Sequence, residues 1–138
     1  MEFCDYPSRM LCHIVWAYCV LFCFSVPSKG PNITTISVVS STALKVTWAK
    51  LSSNYSNGII TKYAVCYDDK TSSSTCLSNK TIEGADTTMI VLTGLNEATT
   101  YYIGVRASTV EGFGKLGIVK SNKTLEDSKC VSLHLKGQ

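Results

Sequence analysis

The feature that most constrains the fold of this chain is a two-residue alternation of apolar and polar side chains from Pro31 onward. In residues 44–48, the apolar side chains of Leu44, Val46 and Trp48 alternate with the polar side chains of Lys45 and Thr47. Successive side chains of a β-strand point to opposite faces of a sheet, so this pattern predicts strands with one buried face. Similar runs occupy residues 63–67, 87–95 and 101–107, with weaker ones at 34–40, 76–82 and 117–123.

Turn sequences separate these seven predicted strands. Residues 56–58, 83–86 and 111–114 each contain glycine beside Asn, Asp, Ala or Glu, and several of these residues tolerate the positive φ of tight turns. No proline follows Pro31, so no strand lacks a backbone donor for pairing. After residue 30, no stretch repeats apolar residues at helical spacing over three turns. Seven strands in about 95 residues predict an all-β sandwich.

The first 28 residues have the order of a targeting segment. Residues 11–26 carry no formal charge, follow Arg9 and lead into small and polar residues, which is typical of a secretory signal peptide. Sixteen helical residues would span roughly 24 Å, less than the ~30 Å hydrocarbon core of a bilayer. We predict that residues 1–28 are a leader cleaved after Ser28, with cleavage after Ser25 as the second candidate. An uncleaved membrane anchor at residues 11–26 is the alternative.

Five short motifs, in this order, resemble those of fibronectin type III domains. They are Leu44-x-Val46-x-Trp48, Tyr63-x-Val65-x-Tyr67, Leu92-Thr93-Gly94-Leu95, Thr99-Thr100-Tyr101-x-Ile103-x-Val105-x-Ala107 and Gly112-x-Gly114. The resemblance covers residues 31–127 and leaves a polar tail at 128–138. It implies a seven-strand, immunoglobulin-like β-sandwich of ABE and C′CFG sheets.

The resemblance also implies roles for individual core residues. Trp48 is expected to pack against Tyr63 and the residues of strand F. Leu95 is expected to close the E strand after Gly94. Tyr101, six residues after Leu95, is expected to form a tyrosine corner, with its hydroxyl bonded back to the backbone at the E–F crossover.

Cys66 and Cys76 are predicted to form a disulfide. Cys66 is out of phase with the apolar residues of its strand and should face away from the core. A hairpin centred on Thr71 would place it opposite Cys76, and an oxidising compartment would allow the bond. Two free thiols are the alternative for a cytosolic protein. Cys130, in the tail, is left without an assigned partner.

Four Asn-x-Ser/Thr sequons agree with an extracellular surface: Asn32, Asn54, Asn79 and Asn122. All four fall near predicted strand ends or turns, where a glycan can reach solvent. Asn54 lies in the predicted B–C loop and is the strongest candidate. Asn122 lies within the last predicted strand, where pairing can hide it.

The residues that enzymes use are missing from the predicted domain. The two histidines of the chain are His13 in the leader and His134 in the tail, so the predicted domain has none. It also contains neither a phosphate-binding glycine loop nor a metal-spaced Cys/His set. We therefore expect no catalysis, no cofactor and no metal. The net charge of +3 also argues against a nucleic-acid protein.

Binding to an extracellular or cell-surface protein is the function that remains. Phe113, between two glycines at the predicted tip of the F–G loop, is a candidate contact residue, although it could instead fold over the end of the sandwich. A basic strip could attract a polyanion weakly, but a solvated edge is the preferred interpretation: Arg106, Lys115, Lys120 and Lys123. The predicted function is thus a secreted adhesion or protein-binding module. The alternatives are a membrane-tethered fragment or short isoform of a multi-domain receptor, and a structural spacer without a ligand.

Overall fold

The computed structural model describes residues 25–70 and 76–127. Within those ranges it contains eight strands and one short helix: β1 (Ile33–Ser40), β2 (Ala43–Trp48), α1 (Ser53–Ser56), β3 (Lys62–Asp68), β4 (Ser78–Glu83), β5 (Met89–Leu92), β6 (Thr100–Thr109), β7 (Gly112–Phe113) and β8 (Lys120–Lys123). The body of the predicted leader, the turn at Thr71, and Cys130 with the rest of the tail lie outside the described residues.

The strands form two antiparallel sheets, as the alternation predicts. One sheet has the order β1-β2-β5, and the other has the order β4-β3-β6, with both β7 and β8 paired to β6. This arrangement confirms the all-β sandwich. The count is eight strands rather than seven because β7 forms a separate two-residue pairing with the end of β6, ahead of a shorter β8.

The core lies between the two sheets and consists mainly of inward-facing apolar residues of β2, β3, β5 and β6, with Ile33 of β1 and Leu95. Trp48 of β2 and Tyr63 of β3 face each other across it, with ring centroids 5.6 Å apart. Their tilted arrangement is one that aromatic pairs prefer. The buried cluster contains Ile33, Leu44, Val46, Trp48, Tyr63, Val65, Leu92, Leu95, Tyr101, Ile103, Val105 and Ala107.

Tyr101 closes the loop that connects the two sheets between β5 and β6. The backbone N–H of Asn96 donates a 2.9 Å hydrogen bond to the Tyr101 hydroxyl. The carbonyl oxygen of Asn96 accepts a second bond, of 2.7 Å, from the hydroxyl of Thr124. Both backbone groups of Asn96 are thereby satisfied by side chains, one five residues away and the other 28 residues away.

The disulfide joins Cys66 in β3 to Cys76, which lies just before β4, with their Cα atoms 5.0 Å apart. Cys76 is not directly opposite Cys66, because the register pairs Cys66 with Asn79. The connection between the strands is therefore longer than a symmetric hairpin about Thr71 would be. Although Cys66 lies outside the core cluster, it is only 4% exposed.

Helix α1 occupies the predicted B–C loop and was not expected. The Ser52 hydroxyl accepts a hydrogen bond from the Asn54 N–H at its start, and Asn57, with a φ of 52°, ends it in the left-handed region. Asn adopts that conformation more readily than most residues. Four residues are too few to show a helical apolar period, so the sequence pattern gives no sign of this turn. No helix in the described part of the chain is long and apolar enough to cross a membrane.

Candidate functional site

Phe113 is a strand residue rather than the tip of a loop. The turn that follows β6 is made by Val110 and Glu111, and Val110 is 74% exposed. Phe113 comes after that turn, in β7, opposite Ser108 of β6. This pairing leaves its side chain half-buried on the outer face of the five-stranded sheet.

Two cations flank the Phe113 ring on that face. The guanidinium carbon of Arg106 lies 4.5 Å from the ring centroid, and the Lys62 Nζ lies 5.6 Å from it. Both distances are within the range of cation–π attraction. We call Lys62, Arg106 and Phe113 the Phe113 cluster.

Strand register explains why these three side chains meet. Lys62 of β3 and Phe113 of β7 are both paired with Ser108, so they flank the same β6 residue from its two sides. Arg106 is two residues before Ser108 and therefore points to the same face. Ser108 is 1% exposed on this outer face, which places the cluster over a covered position.

The guanidinium of Arg106 is held against the aromatic ring rather than extended into water. Its Nε is buried and has no hydrogen-bond partner in the described part of the protein. Arg guanidinium groups stack well on aromatic rings and are weakly hydrated, which suits them to this position. The cluster therefore combines positive charge with apolar surface.

The four cations of the predicted basic strip do not form one surface. Lys120 pairs with Ile103 and Lys123 pairs with Thr100, and these two β6 residues point to opposite faces. Lys115 lies in the connection between β7 and β8. Lys62, which is not one of the four predicted cations, is the one that lies with Arg106 beside the Phe113 ring. Because Lys62 precedes the inward-facing Tyr63, the sequence alternation indicates that it faces outward. Its approach to Phe113 depends on the order of the strands in the sheet and cannot be read from the alternation.

The sequons differ in how accessible their asparagines are. Asn32, Asn54 and Asn79 are exposed. Asn122 is half-buried, and its Nδ2 donates a 2.8 Å hydrogen bond to the carbonyl oxygen of Ile36. A glycan is attached through that nitrogen, so the half-buried position of Asn122 is less favourable for one than the exposed positions of the other three asparagines.

Within residues 25–70 and 76–127, three ionisable side chains have displaced pKa values. Burial raises the pKa of Tyr63, whose hydroxyl donates a 3.2 Å hydrogen bond to the Ala85 carbonyl. Nearby, Lys50 and Asp86 form an exposed ion pair. Its hydrogen bond and charge attraction raise the pKa of Lys50 and lower that of Asp86. Tyr63 belongs to the buried core, whereas the Lys50–Asp86 pair lies in solvent.

Metal-binding side chains are not grouped in the described ranges. Among residues 25–70 and 76–127, no three His, Cys, Asp or Glu side chains are placed to hold an ion together. The Phe113 cluster combines two cations with an aromatic ring on the described surface.

Comparison with known proteins identifies relatives of this architecture. Residues 27–119 match the family model of the fibronectin type III domain. The chain is 30% identical over 121 residues to a tyrosine-protein phosphatase Lar-like of Caenorhabditis elegans, and 33% identical over 103 residues to receptor-type tyrosine-protein phosphatase F of Danio rerio. Each alignment covers 75% of this chain but only 6% and 5% of the relative.

A third relative and two solved structures agree. Protein sidekick-1 of Gallus gallus is 36% identical over 65% of this chain and 4% of its own length. The FN1–FN3 domains of chicken CNTN1 superpose with a TM-score of 0.62 at 19% identity, covering 72% of this chain and 32% of that one. The third fibronectin III domain of human KIAA0343 protein gives 0.60 at 23% identity, covering 74% and 86%. The structural matches show the fold.

Proposed function

The chain belongs to the fibronectin type III domain family, and on that premise we propose that it is an extracellular module that binds another protein through the Phe113 cluster. The single observation that carries the proposal is the half-buried Phe113 ring, flanked by Arg106 at 4.5 Å and Lys62 at 5.6 Å. Aromatic and arginine side chains dominate the energetics of protein interfaces. The module acts by contact and performs no catalysis.

The cluster favours a partner that offers carboxylates beside apolar groups. Lys62 and Arg106 supply two positive charges, and the Phe113 ring beside them supplies the apolar contact. Both cations are already half-buried, so closing a partner over them orders less free side chain than binding through solvated lysines would. An acidic side chain of the partner would also be attracted to the positive charge of the Arg106 guanidinium.

Secretion and glycosylation are part of the same proposal. The apolar residues 11–26 support targeting to the secretory pathway. The Cys66–Cys76 disulfide fits an oxidising compartment. The exposed Asn32, Asn54 and Asn79 sequons provide three glycan sites. Asn79 pairs with Cys66, four β3 residues from Lys62, so its glycan would be rooted roughly 13 Å from the cluster.

The relatives are much longer than this chain, so their activities cannot be assigned to it from similarity alone. Because the chain spans only 4–6% of their length, the phosphatase activity that two of their names state belongs to those proteins. The receptor-type name of one relative supports a cell-surface setting. A membrane-tethered fragment of a larger receptor therefore remains the second candidate, and detergent extraction separates it from a protein that is released into the medium.

The test is a binding screen with matched variants. The secreted chain, purified from animal-cell medium, is screened against an array of purified ectodomains. Phe113→Ala and Arg106→Ala should each lower the affinity for any specific partner at least tenfold, which is a loss of about 1.4 kcal/mol in binding free energy. Met89→Ala is the control, since Met89 is 46% exposed on the other sheet. Absence of any partner would favour the spacer, and equal loss in all three variants would contradict the assigned face.

A polyanion is tested in the same experiment. If a sulfated polymer were the ligand, the affinity would fall steeply with salt, and neutralising Lys115, Lys120 or Lys123 would weaken binding as much as neutralising Arg106. We expect the Phe113 variant to matter most and the three lysines little, because the lysines and Arg106 do not share one continuous face.

A further inference from the structure

The residues just before β1 are built into the domain. We define residues 25–31 as the leading segment; Ser25, Pro27 and Pro31 in it are buried. Its first side is held by the B–C loop: the Ser25 N–H donates to the Asn57 carbonyl at 3.0 Å, and the Ser28 N–H donates to the Tyr55 carbonyl at 2.9 Å. The Asn57 side-chain amide also donates to the Val26 carbonyl at 3.1 Å.

The other side of the leading segment is held by the residues between β6 and β8. The Thr109 hydroxyl donates to the Ser25 carbonyl at 3.0 Å, and the Lys115 N–H donates to the Pro27 carbonyl at 3.3 Å. A Cβ on Gly114 would lie 2.2 Å from that Pro27 carbonyl oxygen. The leading segment therefore passes so close to Gly114 that no larger residue fits at position 114.

These contacts distinguish the two candidate cleavage bonds. A cut after Ser28 would remove the buried Pro27 and the hydrogen bonds made by Val26, Pro27 and Ser28. A cut after Ser25 would keep all of these and lose only the contacts of Ser25 itself. The Ser25–Val26 bond also has small residues at the two positions that a signal peptidase reads, Cys23 and Ser25.

We infer that a signal peptidase cuts the Ser25–Val26 bond and that the mature domain begins at Val26; this inference rests on the proposed secretion. Hydrolysis adds one water across the amide, leaving a carboxylate on Ser25 in the released leader and an α-ammonium on Val26. Two oxygens bond to the Ser25 backbone before the cut, those of the Asn57 carbonyl and the Thr109 hydroxyl. Because Val26 is the next residue, its new ammonium lies near both oxygens, which can accept hydrogen bonds from it.

The experiment is mass spectrometry of the N-terminal peptide of the full chain after secretion from animal cells and enzymatic deglycosylation. A peptide beginning at Val26 is the expected result. A peptide beginning at Lys29, or at any residue before Val26, overturns the inference while leaving secretion intact. A chain that keeps its leader and needs detergent for extraction overturns both the inference and the proposed secretion.

Two serine variants make the test independent of folding. In cell-free translation with microsomal membranes, Ser25→Leu should reduce cleavage at this bond at least tenfold, because a bulky residue at the cut site is not accepted. Ser28→Leu is the matched control and should leave the Val26 terminus unchanged. The opposite pattern, with only Ser28→Leu affecting cleavage, would show that the Ser28–Lys29 bond is the one cut.

Discussion

Asn122 donates a 2.8 Å hydrogen bond from its side-chain nitrogen to the carbonyl oxygen of Ile36. The first residue lies in β8 of the five-stranded sheet, and the second lies in β1 of the three-stranded sheet. The bond therefore links the two sheets where their edges meet. It also uses the nitrogen to which a glycan would be attached.

Glycosylation should accordingly distinguish the four sequons. Asn32→Gln, Asn54→Gln and Asn79→Gln should each lower the intact mass of the secreted protein by one glycan, because these asparagines are exposed. Asn122→Gln should leave the glycan mass unchanged. A lower mass for Asn122→Gln would show that the half-buried position of Asn122 does not prevent its glycosylation.

The disulfide should contribute measurably to stability. Replacing both Cys66 and Cys76 by alanine should lower the free energy of unfolding by roughly 2–3 kcal/mol, since a loop of about 11 residues is released in the unfolded chain. Denaturant titration measures this difference. Reductant should destabilise the wild type by a similar amount and leave the double variant unaffected. If reductant affected both equally, the bond would not be the cause.

The hydroxyl of Tyr101 should stabilise the connection between β5 and β6. Tyr101→Phe removes the acceptor for the Asn96 N–H and should lower the free energy of unfolding by about 1–3 kcal/mol. Tyr102→Phe is the matched control, because Tyr102 points to the opposite face of β6 and is half-exposed. Equal effects of the two substitutions in denaturant titrations would contradict this role.

Close backbone approach should make Gly117 less replaceable than Gly104. A Cβ on Gly117 would lie 2.1 Å from the Pro31 carbonyl oxygen, whereas a Cβ on Gly104 would meet only the Leu116 side chain, at 2.9 Å. Gly117→Ala should therefore cost about 3 kcal/mol, and Gly104→Ala about 1 kcal/mol or less, since Leu116 can change rotamer. Thermal unfolding of both variants tests the order, and a reversed order would refute the close contact between Pro31 of the leading segment and Gly117, in the connection that precedes β8.

Stability should fall at alkaline pH partly through Tyr63. Its pKa is raised by burial in the folded state, whereas in the unfolded chain it ionises near the ordinary value of about 10. A raised pKa means that this contribution is complete below about pH 10 and is lost as the pH rises toward the folded-state pKa. Tyr63→Phe should flatten the decline in unfolding free energy between about pH 9 and 11.

The control for this pH dependence is Tyr55→Phe, because Tyr55 is exposed on α1. That variant should retain the wild-type decline. An unchanged slope for Tyr63→Phe in denaturant titrations across the same pH range would show that other groups account for the loss.

Much of the fold was determined by the sequence alone. A strand's backbone sends successive Cβ atoms to opposite faces, so the parity of Leu44, Val46 and Trp48 is a local property that can be read without a partner strand. Glycine and asparagine at the turns are equally local, because positive φ is a property of single residues. These two signals suffice for a sandwich with the observed core.

Tertiary structure alone decided what the surface presents. Lys62 and Phe113 are about fifty residues apart in sequence. They lie on the two sides of Ser108 because β3 and β7 both pair with β6 at that residue. The bond from Asn122 to Ile36 likewise depends on how two sheets meet. Register and sheet packing are non-local, since they are set by loop lengths and by the best fit of the whole core. The alternation of one strand therefore states which side chains face outward, and only the assembled sheets state which of them meet.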